Sequence, residues 1–115
     1  MFKKDRGNIL GIIEAIDKIT KYTANISKGE ELFANSLIFD AVLMNFIVIG
    51  EMIDRISEEF KSNYPEIKWK EIKNFRNIIA HDYFGIDADE VFDIIINYIP
   101  NFKKDILKIL SNILE

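Results

Sequence analysis

Residues 35–62 read NSLIFDAVLMNFIVIGEMIDRISEEFKS, and this stretch decides the fold. Leu37, Ile38, Ala41, Val42, Met44, Val48, Met52, Ile53, Ile56 and Phe60 recur at the three-to-four spacing of one helix face. Phe39, Phe46 and Ile47 lie off that stripe, so the apolar surface is wider than a single neighbour needs. The spacing therefore predicts one long central helix from about Asn35 to about Ser62, set mid-bundle or against another subunit. Asn63-Tyr64-Pro65 ends it, because proline lacks the N–H that a continuing helix requires. Leu32 to Gly50 carries a single charge, Asp40, which raises the question of a membrane span. A mid-span carboxylate is costly in lipid, and Asn35, Ser36 and Asn45 add to that cost. The core helix of a soluble bundle, with no membrane partner, explains the same pattern.

Upstream, residues 5–26 form a first helix, with Ile9, Ile12, Ile13, Ile16 and Ile19 along one stripe. The segment from Asn25 to Glu30 breaks it, and Ser27 with Glu30 has capping-box spacing before a short helical turn through Glu31, Leu32 and Phe33. Downstream, a third main helix runs from Glu66 or Trp69 to Ala80, its inward line Trp69, Ile72, Phe75 and Ile79. Gly85 breaks the chain. Asp87-Ala88-Asp89-Glu90 is then a second capping-box signal, ahead of Val91, Phe92, Ile94, Ile95 and Ile96. Residues 91–96 are rich in β-branched side chains, but the cap and the helical surroundings favour helix over strand. Pro100 can open a last helix with Phe102, Ile106, Leu107, Ile109 and Leu110. The sum is an all-α protein: one domain over residues 1–115, an antiparallel bundle of about four to five helices, dimer-forming.

The chain has 115 residues, enough for one ordinary domain and hardly two. With 49% hydrophobic and 30% charged residues it is globular and not disordered. The absence of cysteine excludes disulfides, a thiolate nucleophile and a cysteine zinc site. Lys3, Lys4, Asp5 and Arg6 lead into a periodic helix and not into a signal peptide, so a cytoplasmic location is expected. The net charge of −4 argues against a protein coated in nucleic acid. Its distribution is uneven: +2 over residues 1–26, −5 over 27–60, +3 over 61–81, −5 over 82–99 and +1 over 100–115. Contact with a polyanion is therefore expected to be local, at the basic block that ends in His81.

His81 is the one histidine, and Arg76 is one of three arginines. Five residues turn a helix about 500°, so the two stand some 140° apart unless the helix ends near Ala80 and His81 swings back. The negative end of the helix favours an imidazolium there, and Asp82 beside it acts in the same sense. An imidazole that exchanges a proton, next to a guanidinium that grips phosphate, suffices to cleave RNA through its own 2′-hydroxyl. Neither metal nor cofactor is then required. Lys70, Lys73 and Arg76 follow at steps of three and can extend a positive strip, while Tyr83 and Phe84 can stack on a base. Plainer roles fit the same residues: a helix-end histidine as a cap, spaced lysines as a solvated face, and Tyr83 or Phe84 as core.

The segment from Trp69 to Asp87, WKEIKNFRNIIAHDYFGID, resembles the signature of the HEPN superfamily and specifically its HepT-like branch of toxin ribonucleases. The pattern of arginine, polar residue, three positions, histidine, any residue and tyrosine is met by Arg76, Asn77, His81 and Tyr83. Ile49-Gly50-Glu51, Tyr64-Pro65-Glu66-Ile67 and Tyr98-Ile99-Pro100 extend the likeness from about Glu30 to Phe102. The resemblance implies a HEPN-like helical homodimer whose two arginine–histidine motifs face one cleft. It implies a metal-independent endoribonuclease in which Arg76 and His81 are catalytic and Asn77 supports them, with Lys70, Lys73 and Tyr83 as RNA contacts. It also implies a toxin–antitoxin system, with an MntA-type minimal nucleotidyltransferase antitoxin as partner that transfers AMP from ATP onto Tyr83. Phosphates added beside Arg76 would fill the anion site and repel RNA. The alternative is a non-catalytic module that binds a nucleotide or serves as the substrate-binding subunit of such a transferase.

Overall fold

The computed structural model describes residues 3–114, and every regular element within them is helical. Helix α1 is Lys3–Tyr22, ending short of the expected Ile26. Thr23 closes it: its hydroxyl and its N–H both donate to the carbonyl of Ile19, at 2.8 and 3.1 Å, so the side chain competes with the next helical turn. Helix α2 is Gly29–Ala34. The expected Ser27–Glu30 capping box is not formed. Instead Glu31 Oε1 accepts from both the N–H and the hydroxyl of Ser27 at 2.6 Å, and Lys28 is the N-cap.

The predicted long helix is two helices. α3 is Ser36–Arg55, capped by Asn35, whose side chain accepts from the N–H of Ile38 at 3.0 Å. α4 is Glu58–Ser62. Between them Ile56 is extended, and Ser57 caps α4 by accepting from the N–H of Phe60 at 3.2 Å. A serine followed by two glutamates is a good helix start, which is why a new helix begins there. Ser57 is also tied to α1, donating its N–H and hydroxyl to the buried Asp5 carboxylate at 2.9 Å each.

Helix α5 is Trp69–His81, followed by a 3-10 turn at Tyr83–Gly85. Helix α6 is Ala88–Asp93, capped by Asp87, and it runs without a break through a π-helical turn at Ile94–Tyr98 into α7, Ile99–Leu114. Residues 91–96 are thus helical, as the cap predicts. Pro100 sits one residue inside α7 and has no N–H for the ladder; the wider turn just before it, where Ile99 donates to Ile94, absorbs that defect.

Two seams set the architecture. Asp5 meets Ser57, and a Cβ on Gly11 would meet Met52 Sδ at 3.0 Å, so α1 and α3 run antiparallel. Asp54 meets Lys73 and Glu51 meets Arg76, so α5 runs antiparallel to α3 on another side. α7 packs on α1, where Lys103 pairs with Asp17 at 2.7 Å. The core joins Ile9, Ile12, Ile16 and Ile19 to Val42, Ile49 and Ile53 and to Ile106 and Ile109. Among the described residues α3 is the one helix long and apolar enough to cross a membrane. It packs against α1 and α5. α2 lies on α6 so closely that a Cβ on Gly29 would stand 2.6 Å from the Asp89 Cα, which only glycine permits.

The apolar surplus lies elsewhere than the sequence places it. Phe46 is 3% exposed, packed edge-on to Phe75 at 5.0 Å, and Phe39 and Ile47 are half-buried. The exposed large apolar side chains on α3 are Leu37 at 81% and Met44 at 58%.

Candidate functional site

The α3–α5 seam is a row of complementary pairs. On α5, Lys73 and Arg76 are one turn apart on the side turned to α3; on α3, Asp54 and Glu51 have the same spacing in the opposite direction. Lys73 Nζ lies 2.6 Å from Asp54 Oδ1, and its ammonium, bonded to that carboxylate, holds the Asp54 pKa below its ordinary value. Arg76 Nη2 donates to Glu51 Oε1, and Arg76 Nη1 donates to Asn77 Oδ1 at 2.9 Å. Arg76 and Glu51 are each about one-third exposed. Two of the five guanidinium N–H groups are thereby used, and the fork keeps donors for an anion.

Gly50 makes this approach possible. A Cβ at position 50 would stand 2.4 Å from Arg76 Cβ and 2.6 Å from its Cγ, so the arginine stem lies directly on the α3 backbone. The positive strip expected from Lys70, Lys73 and Arg76 is therefore largely neutralised within the fold. Lys70 makes no ion pair with a described residue. It lines a pocket of about 360 Å³ together with Lys61 and Lys73.

His81 is the last residue of α5, one past the expected end. It keeps helical spacing from Arg76, about 140° around the axis. No hydrogen bond joins the two, Arg76 being bonded to Asn77 and Glu51. His81 is exposed, and so are Ile78 three residues before it and Phe84 three after, the latter at 98%. Tyr83, in the 3-10 turn, is exposed as well. Its hydroxyl donates to Asp40 Oδ1 on α3, and this bond raises the phenol pKa. The Phe84 ring stands edge-on to it at 5.2 Å.

The structure thus brings Arg76 together with Asn77, Lys70 with Lys73, and Tyr83 with α3. No hydrogen bond or ion pair ties His81 to another described residue. Sequence reasoning missed Asp40, Glu51 and Asp54 as partners. The matched one-turn spacings of 51/54 and 73/76 were a usable signal for two of them; nothing local pointed to Asp40. Among the described residues no group of three or more His, Cys, Asp or Glu is placed to hold a metal ion. A second, apolar pocket of about 180 Å³, between Phe46, Ile72, Phe75, Tyr98 and Phe102, is lined by none of the motif residues. Burial there raises the Tyr98 pKa, with Glu71 and Asp105 adding to it.

Fold and site together define an all-helical protein whose polar chemistry is gathered on one helix pair and the turn after it. The chain belongs to the HepT-like ribonuclease family, whose description "Ribonuclease HepT-like" matches residues 12–109. It is 33% identical over 114 residues to the Methanocaldococcus jannaschii protein named "Putative RNase MJ0127", covering 98% of this chain and 93% of that one. The Thermococcus cleftensis protein "Probable ribonuclease HepT" is 34% identical over 92 residues, 80% of this chain and 83% of that one. A two-activity relative, "Gamma-glutamylcyclotransferase and putative RNase MJ0434" of M. jannaschii, is 33% identical over 102 residues. The match covers 89% of this chain but 46% of that protein, so the chain spans less than half of its length. No solved structure matches the chain.

Proposed function

We propose that the protein is a metal-independent endoribonuclease that cleaves RNA through its 2′-hydroxyl. The observation that carries this reading is the Arg76 guanidinium, held from two sides by Glu51 and Asn77 on a helix that ends in His81. In this mechanism Arg76 grips the scissile phosphate and stabilises its extra charge in the transition state. His81 moves the proton. Asn77 fixes the guanidinium plane, and Lys70 and Lys73 meet neighbouring phosphates.

A homodimer belongs to the proposal. Arg76 and His81 diverge around one helix, and Ile78 and Phe84, exposed on either side of His81 in sequence, are apolar surface that a second copy would cover. A second copy packed there would bring the two arginine–histidine motifs to face one cleft. The same reading makes the protein the toxin of a pair, silenced when a minimal nucleotidyltransferase antitoxin transfers AMP onto Tyr83. The tyrosine's exposure past the helix end supports it. The rival binding-module reading draws support from the pairing of Arg76 and Lys73 with carboxylates.

The test compares wild type with His81→Ala on labelled single-stranded RNA, in EDTA, using protein freed of partner and of AMP. Wild type should cut RNA but not DNA and leave 2′,3′-cyclic phosphate ends, while the variant should be inert. Inactivity of both proteins would favour the binding module, and equal cutting by both would mean a contaminating nuclease.

A further inference from the structure

The residue bonded to the Tyr83 hydroxyl lies 43 positions upstream and belongs to a different helix. Asp40 is the one charged side chain between Leu32 and Gly50, and it makes no ion pair with a described residue. Leu37 and Met44, one turn to either side of it on α3, are exposed and apolar. The Asp40 carboxylate thus faces the Tyr83 hydroxyl with no ammonium or guanidinium of a described residue bonded to it. Both Asp40 and Tyr83 are exposed, so a ligand can reach the phenolic oxygen while the bond to Asp40 stands.

We propose that Asp40 is the general base for nucleotidyl transfer onto Tyr83. The phenolic oxygen forms a bond to the α-phosphorus of a nucleoside triphosphate. The bond from that phosphorus to the bridging oxygen breaks, and pyrophosphate leaves with the electron pair. The phenolic proton passes along the existing hydrogen bond to Asp40, which later releases it to water. A tyrosine hydroxyl ionises near pH 10, so only about one molecule in a thousand is phenolate at neutral pH. An acceptor already in place removes the proton as the oxygen attacks. The substrate protein would thus carry part of the machinery for its own silencing. This inference rests on the reading of Tyr83 as the modified residue.

The test incubates the chain with a minimal nucleotidyltransferase of the antitoxin type and ATP labelled at the α-phosphate, from pH 6 to 9.5. Four proteins are compared: wild type, Tyr83→Phe, Asp40→Asn and Asp40→Glu. Asparagine still accepts the hydroxyl's hydrogen bond but is no base, so Asp40→Asn separates holding from proton transfer. It should label about a hundredfold more slowly than wild type at pH 7, and the gap should narrow as rising pH supplies phenolate. Asp40→Glu should recover part of the rate, and Tyr83→Phe should take no label. Full labelling of Tyr83→Phe, or none of wild type, would refute the reading of Tyr83 itself. An unlabelled Tyr83→Phe beside an Asp40→Asn that labels at the wild-type rate, or slowly by the same factor at every pH, would overturn Asp40 as base and leave Tyr83 standing.

Discussion

The two sides of α3 do different work. Towards α1 the seam is aliphatic, with Ile9, Ile12, Ile16 and Ile19 fully buried and polar contact confined to Asp5 and Ser57 at one end. Towards α5 the same helix presents Gly50, Glu51 and Asp54 to Arg76 and Lys73, and Asp40 to the turn that follows. Aliphatic burial stabilises without demanding direction, at about 25 cal/mol per Å². Half-exposed ion pairs contribute little net stability, because solvent screens them and holding the long side chains costs entropy. A seam of the second kind is an expensive way to join helices and a good way to aim a guanidinium. The α1 face of α3 is thus almost wholly a stabilising one, while the α5 face adds its polar groups beside the apolar contact of Phe46 with Phe75.

The sharpest way to break that contrast is His81→Ala. It should lower RNA cleavage by about 10²–10⁴-fold and leave the thermal midpoint unmoved, since the side chain is exposed. A large drop in the midpoint, read by circular dichroism, would count against the contrast.

Ile16→Ala should do the reverse. The side chain is 0% exposed, and its truncation should cost about 2–5 kcal/mol of unfolding free energy in a urea titration. Cleavage per folded molecule should not change.

Gly50→Ala should strike both. The new methyl would overlap the stem of Arg76, costing about 1–3 kcal/mol as overpacking does. It should also reduce cleavage, because α5 must move and carry the guanidinium with it. Lost stability with cleavage intact would show that the α3–α5 spacing is not what positions Arg76.

Alkaline pH probes the phenols. The pKa of Tyr83 is raised by its bond to Asp40 and that of Tyr98 by burial, both above an ordinary value of 10.0. Folding therefore favours the protonated phenols. Their contribution is fully present below about pH 10 and fades as pH rises through the folded-state values. Asp40→Asn should bring the ionisation of Tyr83, followed by ultraviolet difference absorbance, back towards pH 10.

The smallest effect is expected at Lys73→Gln, whose ion pair with Asp54 is half-exposed. If Lys73 leaves Asp54 for a phosphate when RNA binds, the slope of log affinity against log salt should fall by about 0.7. An unchanged slope would keep Lys73 on the structural side of the comparison.

Much of this was written locally. The helical class follows from the isoleucine spacing of α1, the inward line Trp69, Ile72 and Ile79 of α5, and the cap at Asp87. These signals lie within a few residues of one another, and a helix is a local structure. The motif residues Arg76, Asn77, His81 and Tyr83 were likewise visible as a pattern. Where prediction slipped, it was over competing local signals. Ser57 with Glu58 and Glu59 starts a new helix inside an apolar period that runs straight through it, and Glu31 in place of Glu30 reaches Ser27.

What only the tertiary structure decided is which groups stand opposite which. Composition puts acid on α3 and base on α5, but the pairs 51–76, 54–73 and 40–83 depend on the sliding register of two helices. That register is set by close approaches such as Gly50 under Arg76. It is a property of the packed whole, because a shift of one turn would leave every helix intact and every partner changed.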